Sequence, residues 1–335
     1  MLEFSSNIKS KIFSIKTDKD FNETALDIFY YQAKNNKVYK QFLALINCTP
    51  SNITDYKQIP FLPIQFFKSL DVVIKNKEVN KVFKSSGTTA TGKSKHLVTD
   101  LSIYQESFTK GFSHFYGNIE DYTVLALLPN YLEQGESSLV YMVDKLIELS
   151  HNKESKYCLE NLQETKVLLQ KLAKENKKVL LIGVSYALLD LIEEEQLDLN
   201  ENFLIMETGG MKGRRKELTK PELHAVLKKG FGVKIVHSEY GMTELLSQAY
   251  SQKNGLFKTP PWMKVLIRDI NDPLSFQTKH KSGGINIIDL ANVNSCSFIS
   301  TQDLGRIHKE ENSFEILGRF DYSDTRGCNL LIEED

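Results

Sequence analysis

Between residues 120 and 240 the chain alternates short apolar runs with longer stretches of mixed polarity. The runs fall at 122–128, 179–182, 203–206 and 234–237; between them, 136–149, 161–176, 185–195 and 216–229 follow a helical pattern. The runs read as strands, and their alternation with helices predicts a parallel sheet with crossover helices. Residues 1–80 read as mainly helical. There Leu26, Phe29, Tyr30, Ala33, Tyr39, Phe42, Leu43 and Ile46 form a stripe that breaks near Asn35-Asn36. The segment 59–67 is apolar but holds Pro60 and Pro63, which predicts an extended connector rather than a central strand. Beyond 260 the texture changes. Short β-like runs at 265–270, 284–289, 296–301 and 314–317 are separated by turn residues, which predicts a mostly antiparallel part. The expected organisation is an α/β core over 1–318, helical over 1–80 and β-rich over about 260–318, with a hinge and short tail over 319–335.

Composition narrows the function. The 335 residues are 41% hydrophobic and 25% charged, enough to bury a sizeable core. A net charge of −1 offers no electrostatic footprint for nucleic acid or an anionic surface. No stretch approaches the ~20 apolar residues of a membrane span, and no charged segment leads into an apolar run at the start. The expectation is a cytoplasmic protein with neither a nucleic-acid partner nor a membrane span. Cys48, Cys158, Cys296 and Cys328 are far apart and the seven histidines are scattered, which argues against a disulfide framework or a structural metal.

The chemistry concentrates in Lys84-Ser85-Ser86-Gly87-Thr88-Thr89-Ala90-Thr91-Gly92-Lys93-Ser94-Lys95. Glycines let backbone N–H groups approach a polyanion, hydroxyls donate to it and lysines neutralise it. A plain flexible linker is the bland alternative. Gly87 to Ser94 also fits G-x-x-x-x-G-K-[ST], the pattern of P-loop NTPases, which requires a helix to begin at the Lys-Ser. Residues 95–99 instead lean towards strand, and the next helix is expected from Asp100, a good N-cap.

Five further segments stand out. Gly183-Val184-Ser185-Tyr186-Ala187 approximates the nucleophile elbow of serine hydrolases, but its last glycine is Ala187 and no histidine is conspicuously placed as base. Glu207-Thr208-Gly209-Gly210-Met211-Lys212-Gly213-Arg214 follows a strand, where open α/β sheets place ligands. His237-Ser238-Glu239-Tyr240-Gly241-Met242-Thr243-Glu244 follows the next. Ser300-Thr301-Gln302-Asp303-Leu304-Gly305-Arg306 and Gly318-Arg319-Phe320-Asp321, with Arg326-Gly327, complete the series.

In this order and spacing the segments resemble the adenylate-forming superfamily: S-[ST]-G-T-T-G-x-P-K, Y-G-x-T-E, T-G-D-L-G-R and G-R-x-D. Ala90 and Ser94 depart from the first pattern. Within the superfamily, Tyr131-Leu132, Ser137-Ser138-Leu139-Val140-Tyr141, residues 207–214 and 239–250, and Arg326-Gly327-Cys328 are similar to the acyl-protein synthetases of bacterial fatty acid reductase complexes. The resemblance implies a large adenylate-forming-type domain with a parallel α/β sheet and a β-rich subdomain, its C-terminal domain cut to a short tail. It also implies ATP and Mg²⁺, a carboxylic (fatty) acid substrate, and an acyl-accepting protein such as a reductase or carrier protein.

Carried over by position, Ser85, Ser86, Gly87, Thr88 and Thr89 with Lys93 would hold the β- and γ-phosphates. Gly209 and Gly210 would bound the adenine slot, Tyr240 followed by Gly241 would stack on it, and Thr243 would meet the α-phosphate. Glu244 would hold magnesium, Asp303 the ribose and Arg319 the nucleotide, with Asp321 as pivot; 183–185 would be a wall of the acyl pocket. The superfamily's catalytic lysine lies beyond the hinge, where this sequence has none. Its role is left to Lys93, Lys95, Arg214 or Arg215, or to a partner. Cys328, with Arg326 nearby to favour the thiolate, matches the family's acylated cysteine and is the expected acyl carrier; the alternative is an idle tail thiol. Two rivals to the acyl-protein synthetase reading are an AMP-forming acid–CoA ligase and a non-enzymatic nucleotide-dependent scaffold of a reductase.

Overall fold

A capping box starts the longest N-terminal helix. The Asp20 N–H donates to Thr17 Oγ1 and the Thr17 N–H donates back to the Asp20 carboxylate, satisfying two amides that a helix start leaves unpaired. In the computed structural model, which describes residues 7–85, 92–129, 135–210, 215, 218–277, 281–308 and 313–320, helix α1 (Ile8–Phe13) precedes this α2 (Asp18–Asn35). The apolar stripe breaks where expected. Asn36 leaves the helix with extended backbone, and its side-chain oxygen accepts from the Tyr39 N–H to start α3 (Lys37–Leu45).

The proline-bearing segment is extended only at β1 (Leu62–Pro63), which pairs parallel with the strand at 298–308. The Ile64 N–H still bonds the Ser300 carbonyl, and the chain then turns into the short helix α4 (Phe66–Ser69) instead of staying extended to Phe67. An antiparallel hairpin follows, β2 (Lys81–Lys84) with β3 (Lys95–Val98), as a two-stranded sheet of its own. Asp100 caps α5 (Leu101–Tyr116) by accepting from the Ser102 N–H.

The alternating region runs β4 (Thr123–Leu127), α6 (Ser138–Leu149), β5 (Lys156–Tyr157), α7 (Leu162–Lys174), β6 (Val179–Gly183), α8 (Ser185–Leu191), β7 (Phe203–Glu207), α9 (Lys220–Phe231) and β8 (His237–Tyr240). Every residue of β4, β6 and β7 is buried, because helices cover both faces of a parallel sheet; this is why these strands are continuously apolar. Two strands depart from the sequence expectation, and the first, β5, is one that it did not place. The strand placed at 234–237 starts only at His237 and takes in Ser238 to Tyr240. Gly232 ends α9 with φ +70°, where an added Cβ would stand 2.7 Å from the Leu197 carbonyl, and the returning chain meets β7 first at Met206↔His237.

Beyond β8 the sheet turns antiparallel through β9 (Ala249–Lys253), β10 (Leu256–Lys258), β11 (Met263–Arg268), β12 (Gly283–Asp289), β13 (Phe298–His308) and β14 (Ser313–Arg319). The order β11-β12-β13-β14-β10-β9-β8-β7-β6-β4-β5, with β1 joined to β13, makes one twelve-stranded sheet. The switch from parallel to antiparallel pairing lies at β8–β9. Among the described residues no helix is long and apolar enough to cross a membrane.

The N-terminal helices are fastened to the antiparallel half by two buried amides. Gln32 Nε2 lies within hydrogen-bond reach of the Asn292 and Val293 carbonyls, and its Oε1 accepts from the Ser297 N–H. One turn on, Asn36 Nδ2 donates to the Ser295 carbonyl. Phe29 and Tyr39 pack against Phe298 beside them. Gln32→Leu should strand these backbone groups without water and lower the unfolding free energy by about 2–4 kcal/mol. Urea denaturation checks this; a change within error would mean the amide is dispensable.

Candidate active site

The hairpin carries the hydroxyl-rich stretch, and its neck is closed by two serines. The Ser85 N–H donates to the Ser94 carbonyl, and the Ser94 N–H donates to Ser85 Oγ, both at 3.0 Å. Ser86, Gly87, Thr88 and Thr89, between them, lie outside the described residues. Gly92, Lys93 and Ser94 run straight into β3, where a P-loop requires a helix, so the P-loop reading fails. Lys84 is fixed by its N–H to the Glu136 carbonyl and its Nζ to the Glu136 carboxylate at 2.6 Å. Of the cations left open by the sequence, Lys95 is engaged by Asp71, and Arg215 by Asp190 and Glu193. Lys93 is exposed, with its charge felt at Glu136. Arg214 lies outside the described residues.

The hairpin is joined to the Thr243-Glu244 segment at two points. His96 Nδ1 lies 2.9 Å from the Thr243 carbonyl, and the Ser94 hydroxyl bonds the Glu244 carboxylate. His96 is buried against Phe67, and burial holds its pKa down to about 4. It is therefore neutral, and the carbonyl fixes its proton on Nδ1. Burial raises the Glu244 pKa against the Ser94 hydrogen bond. On the other side, Asn292 Nδ2 donates to the Glu244 carbonyl, and Asp289 accepts from the Leu246 and Ser247 N–H groups and from Ser247 Oγ. Residues 243–247 are thus held between β3 and the end of β12.

At the end of β7, Glu207 organises the glycine turn. It accepts from the Gly209 N–H at 2.8 Å and pairs with Lys220 at 2.5 Å and His224 at 3.4 Å. Burial works against its charge, but the hydrogen bond from His224 and the charge and hydrogen bond of Lys220 outweigh it and bring the pKa down to about 2. Gly209 and Gly210 leave the strand with φ of 75° and 87°, conformations that favour glycine. Ser185, the serine of the elbow-like turn, is buried with its hydroxyl towards Glu207 rather than presented as a nucleophile.

Gly209, Gly210, Gly241 and Thr243 line one cavity of about 250 Å³, with Lys84 on its hairpin side and Val184 in its wall. Tyr240, Asp303 and Arg319 form a cluster beside it. The Tyr240 hydroxyl donates to Asp303 Oδ2 at 2.7 Å, and Arg319 Nε donates to Oδ1 at 2.9 Å across the β13–β14 pairing. The Tyr240 ring meets Phe257 and Phe314 edge-on. Among the described residues no cluster of metal-ligating side chains is present. A single carboxylate such as Glu244 fits magnesium only in the mode where phosphate oxygens supply the other ligands.

Sequence reasoning passed over His96, Glu239 and Gln248. The two last are buried polar residues in the cavity wall. A histidine alternating with Leu97 and Val98 along a strand was the available signal for the first. Cys48, Cys158 and Cys296 are free thiols, all raised by burial, Cys296 to about 12. Cys328 and Asp321 lie outside the described residues.

A family model described as acyl-protein synthetase, LuxE, matches residues 2–335. Among solved structures the chain is similar to ATP-bound MatB from Rhodopseudomonas palustris, with 16% identity and a TM-score of 0.55, over 72% of this chain and 48% of that one. It is also similar to 2-hydroxyisobutyryl-CoA ligase in the postadenylation state with R3-HIB-AMP. There the identity is 13% and the TM-score 0.65, over 91% of this chain and 68% of the other. At such identities the likeness is one of fold, and it bears out the adenylate-forming-type α/β architecture. The chain spans about half the length of MatB. A search of curated proteins finds no match.

The joint at His96 has a pH signature. Its folded pKa of about 4 lies below the ordinary 6.5, so its contribution is complete above pH 6.5 and is lost as pH falls through 4. Relative to His96→Gln, the wild type should lose up to about 3 kcal/mol over that window. His237, also depressed to about 4 by burial, is common to both proteins and cancels in the difference. Parallel stability curves from pH 7 to 4 would contradict this.

Proposed function

The chain belongs to the acyl-protein synthetase (LuxE) family, and on that footing we propose that it activates a carboxylic acid with ATP and passes the acyl group to a protein cysteine. A carboxylate oxygen of the acid attacks the α-phosphorus, the bond to the β-phosphate oxygen breaks, and pyrophosphate leaves an acyl-adenylate. A thiolate then attacks the acyl carbonyl, AMP departs, and a thioester remains. Catalysis is mainly positioning and charge neutralisation.

The residues divide the work by location. Ser85, Ser86, Gly87, Thr88 and Thr89 with Lys93 hold the β- and γ-phosphates, and Lys84 adds a cation at the cavity. Gly209 and Gly210 bound the adenine and Thr243 bonds the α-phosphate, whereas Tyr240, turned to Asp303 rather than into the cavity, acts through that carboxylate instead of stacking on the base as the sequence suggested. Asp303 takes the ribose hydroxyls while Tyr240 and Arg319 fix its two oxygens. Glu244 would hold Mg²⁺, which spreads the phosphate charge when bound. Cys328 is the proposed acyl carrier, the acid is expected to be fatty, and the acceptor is a reductase or carrier protein. The observation that carries this reading is the double joint of Ser94 to Glu244 and His96 to Thr243, which sets the hydroxyl-rich hairpin and the Thr-Glu segment against one cavity.

Acid-dependent exchange of labelled pyrophosphate into ATP tests it. Exchange should require a carboxylic acid and fall by roughly ten- to a hundredfold in Thr243→Ala. Cys328→Ser should leave exchange intact while abolishing acylation of the protein by labelled acid. Acyl-CoA formed without acyl-enzyme would favour the acid–CoA ligase. No exchange with any acid would favour the scaffold.

A further inference from the structure

Side chains along β8 point alternately to opposite faces of the sheet. Tyr240 goes to Asp303, whereas Glu239, only 8% exposed, lines the cavity. Gln248, 6% exposed, lines the same cavity just ahead of β9. The two flank Gly241: a Cβ there would stand 2.5 Å from Glu239 Oε1 and 3.4 Å from Gln248 Cγ. Glycine at 241 leaves the carboxyl its room.

Among the described residues neither side chain has a hydrogen-bond partner. The hydroxyl of neighbouring Tyr104 is given to the Ser138 carbonyl, and Lys220, whose charge reaches Glu239, is bonded to Glu207. Burial, with the Glu207 charge behind it, pushes Glu239 up to about 8. At neutral pH it therefore holds a proton and can both donate and accept. Both side chains lie in the cavity wall, where a carboxyl and a carboxamide offer hydrogen bonds to a bound molecule that an apolar wall would not.

We propose that Glu239 and Gln248 form a clamp for an oxygen substituent, a hydroxyl or an oxo group, carried by the acid near its carboxyl end. This rests on the adenylation reading. Gly241 lies two positions before Thr243, so the clamp sits beside the α-phosphate end of the cavity. A hydroxyl there accepts from the Glu239 carboxyl and donates to Gln248 Oε1. An unsubstituted chain would press methylenes against both groups. A site built to hydrogen-bond a substituent rejects the analogue that lacks it.

The test is pyrophosphate exchange with butanoate, octanoate and tetradecanoate, each beside its α-hydroxy, β-hydroxy and β-oxo counterparts. At one chain length or more, an oxygenated acid should exceed its parent in kcat/KM by about ten- to a hundredfold. Glu239→Leu should erase that ratio, mainly through KM of the oxygenated acid, and Glu239→Gln should keep it. Parents used as well as their oxygenated counterparts by the wild-type enzyme would overturn the clamp, and that comparison needs no variant to fold. A Glu239→Leu enzyme, folded by thermal melting, that slows both acids equally would also overturn it. Exchange with none of the acids would overturn the adenylation reading and the clamp with it, which separates the two failures.

Discussion

A neutral imidazole bonded to one backbone carbonyl holds the site together. His96 and Thr243 are 147 positions apart in the chain, yet their 2.9 Å contact binds a two-stranded hairpin to the turn after β8. Among the described residues the hairpin pairs with no strand of the main sheet. Its placement over the cavity therefore depends on contacts such as this one, the Ser94–Glu244 bond beside it, the backbone bond from Lys84 to Glu136, and the Lys84–Glu136 and Lys95–Asp71 ion pairs. The two ion pairs are partly exposed, and surface pairs contribute little. The buried histidine and serine contacts are screened far less by water.

The ends of β7 and β8 treat two buried carboxylates in opposite ways. Glu207 has Lys220 and His224 against it and stays charged, so it can draw in the Gly209 N–H and shape the glycine turn. Glu239, one strand across, meets burial and the Glu207 charge instead, and retains its proton. Environments that push like groups apart are how a site acquires groups of different function. The pair places a fixed negative charge behind the glycine turn and an uncharged donor and acceptor in the cavity wall.

The parallel half of the fold was legible because its strands are buried on both faces and its helices keep their caps close at hand: Asp100, Ser137 and Thr219 stand immediately before the helices they start. The antiparallel half was legible as strand texture but not as part of the same sheet, since pairing of β8 with β9 is set by tertiary contacts. The late start of β8 was missed for a similar reason. Lys234 to His237 has the composition of a strand, but register is fixed by Met206↔His237. In a period of two, that start decides which of Glu239 and Tyr240 faces the cavity. Motif reading found Thr243, Gly209 and Asp303 because each sits in a run of distinctive neighbours. His96, Gln32 and Gln248 have ordinary neighbours, and their partners are far away in the chain; Gln32 reaches across 260 positions to Asn292.

The central claim is that the serine neck of the hairpin and the Thr243-Glu244 turn face a single Mg·ATP. A crystal structure with a non-hydrolysable Mg·ATP analogue measures this directly. The account predicts the triphosphate between Ser94 and Thr243, with the adenine at Gly209-Gly210 and the ribose at Asp303. A nucleotide bound away from that cavity, or phosphates that touch the hairpin without Thr243, would contradict it.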